Sequence, residues 1–232
     1  MIIIGHRGAA GLAPENTLDA LQSGAEVGSD VLEFDVQATR DKKLLVIHDS
    51  TLLRTHRKAH IVRWSSHESI KEATAKGHKI ATLEEVLDRF FGKILLNLEI
   101  KSRGTGKLVV RLLEEKYIMR SEDWQNILLS SFKPAELKVV RKLAPEAELA
   151  LLHARNPFAF VLHNRQLDLT AVGFNRLYIN SLALEVAKQL GLFPYTYTVN
   201  RPEAARKLHE RGIDGIVTDN PKVMRAKLDD IL

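Results

Sequence analysis

The sequence predicts an α/β chain folded as a (β/α)₈ barrel, one closed parallel sheet ringed by helices. Three observations lead there. Short β-rich runs alternate with helix-like runs along the chain, as in a parallel sheet wrapped by helices. One neighbouring pair of strand candidates is too close in sequence for a parallel crossover, so one strand must turn back as a hairpin and eight remain. Eight units in 232 residues leave about 29 residues each, enough for a lean barrel.

The strand candidates are Ile2 to Ile4, Val31 to Val36, Leu44 to Ile47, Ile94 to Ile100, Ile127 to Ser130, Leu149 to Leu152, Ala171 to Phe174, Phe193 to Val199 and Gly215 to Thr218. Helix-like runs lie at Asn16 to Val27, Leu83 to Phe91, Gly106 to Lys116, Pro134 to Leu143, Leu182 to Leu190 and Pro202 to Arg211. Gln37 to Lys43 is the short gap that forces the hairpin. With Asp41-Lys42 at its tip, His48 is expected opposite Asp35. Asn16 is expected to cap the first helix, and Thr82 with Glu85 to form a capping box. An open doubly wound sheet is the competing fold, but Gly5, Gly8 and Gly11 do not match its dinucleotide turn. No linker or repeat divides the chain, so residues 1–232 are expected to form a single domain.

Composition is that of an ordinary globular domain, with 45% apolar and 27% charged residues. The absence of cysteine excludes disulfides, thiolate zinc sites and a cysteine nucleophile. The apolar start at Met1 gives way at once to Gly5-His6-Arg7, too short for a signal segment, and no membrane span follows, so a cytoplasmic location is expected. The net charge of +5 would suit an anionic partner. Its densest patch, Arg54 to Arg63, lacks interleaved aromatics and belongs to no nucleic-acid module, so no nucleic acid is expected. That patch reads first as a solvated loop and second as a means of steering an anion.

Strand residues two apart share a face, which groups Ile2, Ile4 and His6, then Glu33 with Asp35, then Asn97, Glu99 and Lys101. The apolar residues between them suit the helix-facing side, so the polar ones should face the barrel mouth. Glu33, Asp35 and Glu99 would repel one another there. Arg7, Lys101 and a bound phosphodiester still leave the set two charges negative, which one divalent cation balances. Oxygen-only ligands favour Mg²⁺ or Ca²⁺. His6 and His48 are the natural acid and base, and Arg7 and Lys101 the natural phosphate contacts. Phe132 and Tyr197 either line a pocket for the alcohol group of such an ester or simply pack.

In collinear order the residues Gly5-His6-Arg7-Gly8, Pro14-Glu15-Asn16-Thr17, Glu33-Phe34-Asp35-Val36, His48-Asp49 with Thr51-Leu52, and Thr82 to Leu87 resemble the glycerophosphodiester phosphodiesterases, relatives of the phosphatidylinositol-specific phospholipases C. The match continues through Glu99-Ile100-Lys101, Ser130-Ser131-Phe132, Thr198-Val199-Asn200 and Asp214 to Asp219. The resemblance implies a (β/α)₈ fold with a small insertion at about residues 49–80. It implies metal ligation by Glu33, Asp35 and Glu99, acid/base work by His6 and His48, and phosphate contacts from Arg7 and Lys101. The implied reaction is metal-dependent cleavage of a small glycerophosphodiester to glycerol 3-phosphate and an alcohol. Where the family has Asp-Gly at the hairpin tip, this chain has Asp41-Lys42-Lys43, and Tyr197 replaces a common Trp. Two other readings are a metal-free barrel glycosidase using two of the three carboxylates, and a catalytically silent anion-binding protein using the Arg54 to Arg63 patch.

Overall fold

The structure, a computed structural model, describes residues 1–228. Strands β1 (Ile2–Gly5), β2 (Val31–Ala38), β4 (Leu95–Ile100), β5 (Ile127–Ser131), β6 (Glu148–His153), β7 (Ala171–Asn175), β8 (Phe193–Tyr197) and β9 (Gly215–Thr218) pair in parallel, and β1 pairs with both β2 and β9, which closes the barrel. Strand β3 (Leu44–Val46) lies antiparallel on the far end of β2. Between the strands run α1 (Leu18–Glu26), α4 (Leu83–Phe90), α5 (Thr105–Lys116), α6 (Pro134–Leu143), α7 (Ala159–Leu167), α8 (Ser181–Gln189) and α9 (Pro202–Glu210), with α10 (Pro221–Leu228) following β9. The helix α7 has no counterpart among the sequence candidates, since only Phe160 and Leu167 of it are buried and its apolar stripe is weak.

Alternation along the strands sorts the core into two parts. Residues such as Leu32, Phe34, Leu96, Leu98, Leu149 and Leu151 pack outward against the helices. Ile4, Val31, Ala150, Leu152, Ala171, Tyr195 and Val217 fill the barrel axis. A third cluster, Leu45, Ile47, Leu52, Val62, Ile70 and Ile80, belongs to the segment between β3 and α4, which contains α2 (Leu53–His56), a 3₁₀ turn at Val62–Trp64 and α3 (His67–Thr74).

The hairpin register differs by one residue from the sequence expectation. Val36 faces Val46 and Ala38 faces Leu44, so it is Ile47, not His48, whose N–H donates to the Asp35 carbonyl, at 2.8 Å. The tip holds three residues rather than two: Thr39 N–H donates to the Lys43 carbonyl at 2.9 Å and Lys42 takes the left-handed conformation, φ 66°. A three-residue loop of this kind ends in a left-handed residue, a position usually given to Gly and here taken by Lys. The capping box of Thr82 and Glu85 forms as expected.

Candidate active site

The register of β2 on β4 sets Glu33 beside Asn97 and Asp35 beside Glu99, all toward the axis. Carboxylate oxygens of Glu33, Asp35 and Glu99 lie within 4.8 Å of one another. Each is held by a specific neighbour. The Arg7 N–H donates to Glu33 Oε2 at 2.8 Å, and Lys101 Nζ sits 2.7 Å from Glu99 Oε1 and 3.4 Å from Asp35 Oδ1. Asn16 grips Asp35 twice: its Nδ2 donates to Asp35 Oδ2 at 2.9 Å, and its Oδ1 accepts from the Asp35 N–H at 3.0 Å. Asn16 is therefore not the helix cap. Thr17 caps α1, its side chain accepting from Ala20 N–H, while Asn16 is buried in a left-handed conformation, φ 59°. The turn that carries Arg7 packs directly on α1 at Gly8 (φ 88°), where a Cβ would come within 2.4 Å of the Ala20 backbone.

Burial, and then the charge of Asp35, push the Glu33 and Glu99 carboxyls well above the ordinary carboxylate range. Burial alone would lower the pKa of Lys101, but Asp35 and Glu99 outweigh it and raise it. The Oδ1 of Asn97 is buried beside the same groups with no hydrogen-bond partner among the described residues. A converging set of oxygen donors, resisting ionisation and carrying an unused acceptor, fits a hard divalent ion. His56 and His60, four apart in sequence as a metal-binding pair on a helix would be, join no such set among the described residues; the His56 ring packs against His78 and meets its carbonyl at 2.9 Å.

Both histidines that the sequence singled out are paired through Nδ1 with an aspartate. His6 Nδ1 meets Asp219 Oδ1 at 2.5 Å, and Asn200 Nδ2 donates to Asp219 Oδ2 at 2.6 Å. Burial pulls the His6 pKa down, but the bond to Asp219 and the charge of Glu33 more than offset this, and it ends above the ordinary value. The Asp219 carboxyl is held low, chiefly by His6. His48 Nδ1 meets Asp49 Oδ1 at 2.7 Å. Burial would raise the Asp49 pKa, yet Arg54 and His48 hold it low. Because both aspartates stay ionised, each Nδ1 is the donor and each Nε2 is left free for proton transfer.

Arg54 does not behave as part of a solvated loop. Its Nε donates to Asp49 Oδ2 at 2.6 Å, and its two terminal nitrogens donate to Glu15 at 2.8 and 2.5 Å. Glu15 in turn accepts from Arg7 Nη1 at 2.7 Å. A chain of charge thus runs from Arg7 through Glu15, Arg54 and Asp49 to His48.

The mouth contains a pocket of about 50 Å³ lined in part by His6, Glu33, Glu99, Phe132 and Tyr197. Phe132 and Tyr197 meet edge to face with centroids 5.7 Å apart, Lys101 Nζ lies 5.8 Å from the Phe132 centroid, and the Tyr197 hydroxyl donates to the His153 carbonyl at 2.5 Å. His48 stands to one side of this lining, beside Glu15 and Asn16. The residues that sequence reasoning passed over are Asp219, Asn200, Asn16, Glu15 and Arg54. For Asp219 a signal existed, because closing the barrel pairs Gly5 with Thr218 and so brings the next residues, His6 and Asp219, level.

Comparison with known proteins points to one family and one fold. The model of the Glycerophosphoryl diester phosphodiesterase family matches residues 6–223. A glycerophosphodiester phosphodiesterase of Caldanaerobacter subterraneus subsp. tengcongensis is 33% identical over 96% of each chain, and one of Bacillus altitudinis is 31% identical over 94% of each. Among solved structures, a phosphodiesterase of Oleispira antarctica in complex with the product sn-glycerol-3-phosphate superposes with a TM-score of 0.87 at 25% identity, covering 99% of this chain and 97% of that one. A glycerophosphodiester phosphodiesterase of Thermotoga maritima gives a TM-score of 0.84 at 26% identity over 97% of both chains. These structures share the closed barrel, and neither the glycosidase nor the silent anion-binding reading is favoured. No helix among the described residues is long and apolar enough to cross a membrane.

Proposed function

The chain belongs to the glycerophosphoryl diester phosphodiesterase family, and from that premise we propose that it hydrolyses glycerophosphodiesters to glycerol 3-phosphate and an alcohol with His6 and His48 as the proton-transfer pair. The observation that carries this reading is the meeting, at one barrel mouth, of three converging carboxylates, two aspartate-oriented histidines and two cations.

Glu33, Asp35 and Glu99 would hold one divalent ion, Mg²⁺ or Ca²⁺, which when bound supplies positive charge to the phosphoryl oxygens and acidifies the glycerol 2-hydroxyl. Arg7 and Lys101 orient the phosphate, Arg7 through its planar fork. Phe132 and Tyr197 flank the leaving alcohol. One histidine takes the proton of the 2-hydroxyl through Nε2 as its oxygen attacks phosphorus. The other gives its Nε2 proton to the departing alcohol oxygen. Water then opens the resulting cyclic phosphate with the two roles exchanged, returning each ring to its starting state. Asp219 and Asp49 hold the Nδ1 protons throughout, fixing the tautomers and supporting each imidazolium. A small-molecule substrate and a cytoplasmic setting belong to the same reading.

The test is a panel of glycerophosphocholine, glycerophosphoethanolamine, glycerophosphoinositol and a lysophospholipid, each with and without added divalent ion, with glycerol 3-phosphate or its acylated form quantified. Release that requires the ion and disappears with chelator is expected. No release from any member with Mg²⁺, Ca²⁺ or Mn²⁺ rejects the reading.

A further inference from the structure

A second concavity, of about 410 Å³, lies outside the barrel wall between the hairpin tip, the 3₁₀ turn of the insertion and α5. Six cations, five from these three elements and Arg103 from the loop that leads into α5, line it: Arg40, Lys42, Arg63, Arg103, Lys107 and Arg111. It shares no lining residue with the catalytic pocket. Among the described residues no acid lines it and none of the six makes an ion pair. The nearest acid in sequence, Asp41, is already engaged: its carboxylate accepts from the Thr39 hydroxyl at 2.6 Å and from the His67 N–H at 3.0 Å.

This arrangement costs stability. Lys107 and Arg111 stand four apart on one helix, where like charges repel each other. The first α5 N–H groups do not explain the charge, since Glu136 of α6 already accepts from Gly104 N–H at 2.8 Å and Gly106 N–H at 2.9 Å. Converging side-chain cations are what the groove offers. Its volume is that of a small-molecule site, and a concavity is poorly suited to a flat bilayer. Its lining holds no aromatic ring on which a base could stack, which disfavours nucleotides and single-stranded RNA.

We propose that this groove binds a compact polyanion carrying two or more phosphate groups and no nucleobase, at a site separate from the catalytic mouth. Lys107, Arg111 and Arg103 would contact it from one wall, with Arg40, Lys42 and Arg63 closing over it. The site does not depend on the proposed reaction.

The probe is inorganic tripolyphosphate, titrated calorimetrically into the metal-free full chain at about 150 mM salt, where exposed charges beyond about 8 Å are screened and only a concentrated site retains affinity. Saturable binding is expected, weakened about ten-fold or more in Lys107→Gln/Arg111→Gln, with glycerophosphodiester turnover unchanged and the melting temperature unchanged or slightly raised as the like charges on α5 are removed. Arg63→Gln, on a different element, should weaken it in the same direction and serves if the double variant loses stability. Lys207→Gln, in the separate basic concavity beside Arg176 and Arg201, should leave binding unchanged. No saturable heat, equal loss in Lys207→Gln, or binding that persists in both groove variants would overturn the proposal. So would anionic vesicles or single-stranded RNA binding this face where tripolyphosphate does not.

Discussion

The two histidines of the mouth reach it by different routes. His6 follows β1, its partner Asp219 follows β9, and Asn200, which donates to Asp219, follows β8, so the dyad and its support are assembled wholly from barrel strand ends whose spacing the parallel sheet fixes. His48 follows the return strand β3, and its partner Asp49 is braced by Arg54 from the inserted segment, which has its own small core. One half of the proposed acid/base pair is therefore as rigid as the barrel, and the other is as rigid as an appendage packed on it. The difference teaches that the insertion takes part in the site, since it presents the arginine that connects His48 to the Arg7 side of the mouth through Glu15.

The largest effects should be symmetrical. His6→Ala and His48→Ala should each lower kcat by about 10²- to 10⁴-fold, because each removes one proton transfer, with circular dichroism and melting unchanged. Near wild-type turnover in either variant would break the comparison at its root. The supporting residues should then separate the two routes. Asp219→Asn should lower kcat by about 10²-fold or more, since the amide no longer fixes the His6 tautomer or supports its charge, while KM stays close to normal. Arg54→Gln should cost less, about ten-fold in kcat, because Asp49 still reaches His48 without it. Arg54→Lys should restore part of the loss by returning the charge without the bidentate fork. Arg54 is half exposed, so the stability cost of its ion pairs should be within about 1 kcal/mol, and chemical denaturation of Arg54→Gln can check this. If Asp219→Asn and Arg54→Gln fell by equal factors, the two routes would not differ in rigidity.

Much of this was legible in the sequence, and what escaped has a common cause. Period-two alternation is a local signal, so it revealed that Glu33, Asp35 and Glu99 share the axis face, and the short gap at Gln37 to Lys43 revealed the hairpin. Alternation says which way a side chain points but not which distant loop it meets. Asp219 lies 213 positions from His6, Asn16 read as a cap because Asn commonly caps helices, and Arg54 read as solvated because its acidic partners, Asp49 and Glu15, lie outside the Arg54 to Arg63 patch. The hairpin register slipped by one for a different reason, since the third loop residue is a left-handed Lys42 and carries none of the glycine signal that marks such loops.

A third histidine bears on stability alone and checks the alternation itself. His153 also ends a barrel strand, β6, but it falls on the opposite face from His6 and points outward, against Phe160 and Phe174 at centroid distances of 5.7 and 5.3 Å. Neither ring nitrogen has a hydrogen-bond partner among the described residues, and burial pushes its pKa down to about 4 from an ordinary 6.5. The unfolded chain therefore takes up a proton near pH 6.5 that the folded chain refuses until about pH 4. Stability from the neutral buried ring is fully present above the unfolded value and is lost as pH falls through this window. At pH 5 the loss amounts to about 2 kcal/mol, from roughly 1.4 kcal/mol per pH unit below the unfolded pKa. Urea unfolding of His153→Leu at pH 7 and pH 5 isolates this contribution, because the variant has no proton to take up there. Its stability should fall less between the two pH values than that of the wild type. A parallel fall in both proteins would mean that the His153 ring is solvated, and that the barrel wall there is open where the packing of β6, β7 and α7 closes it.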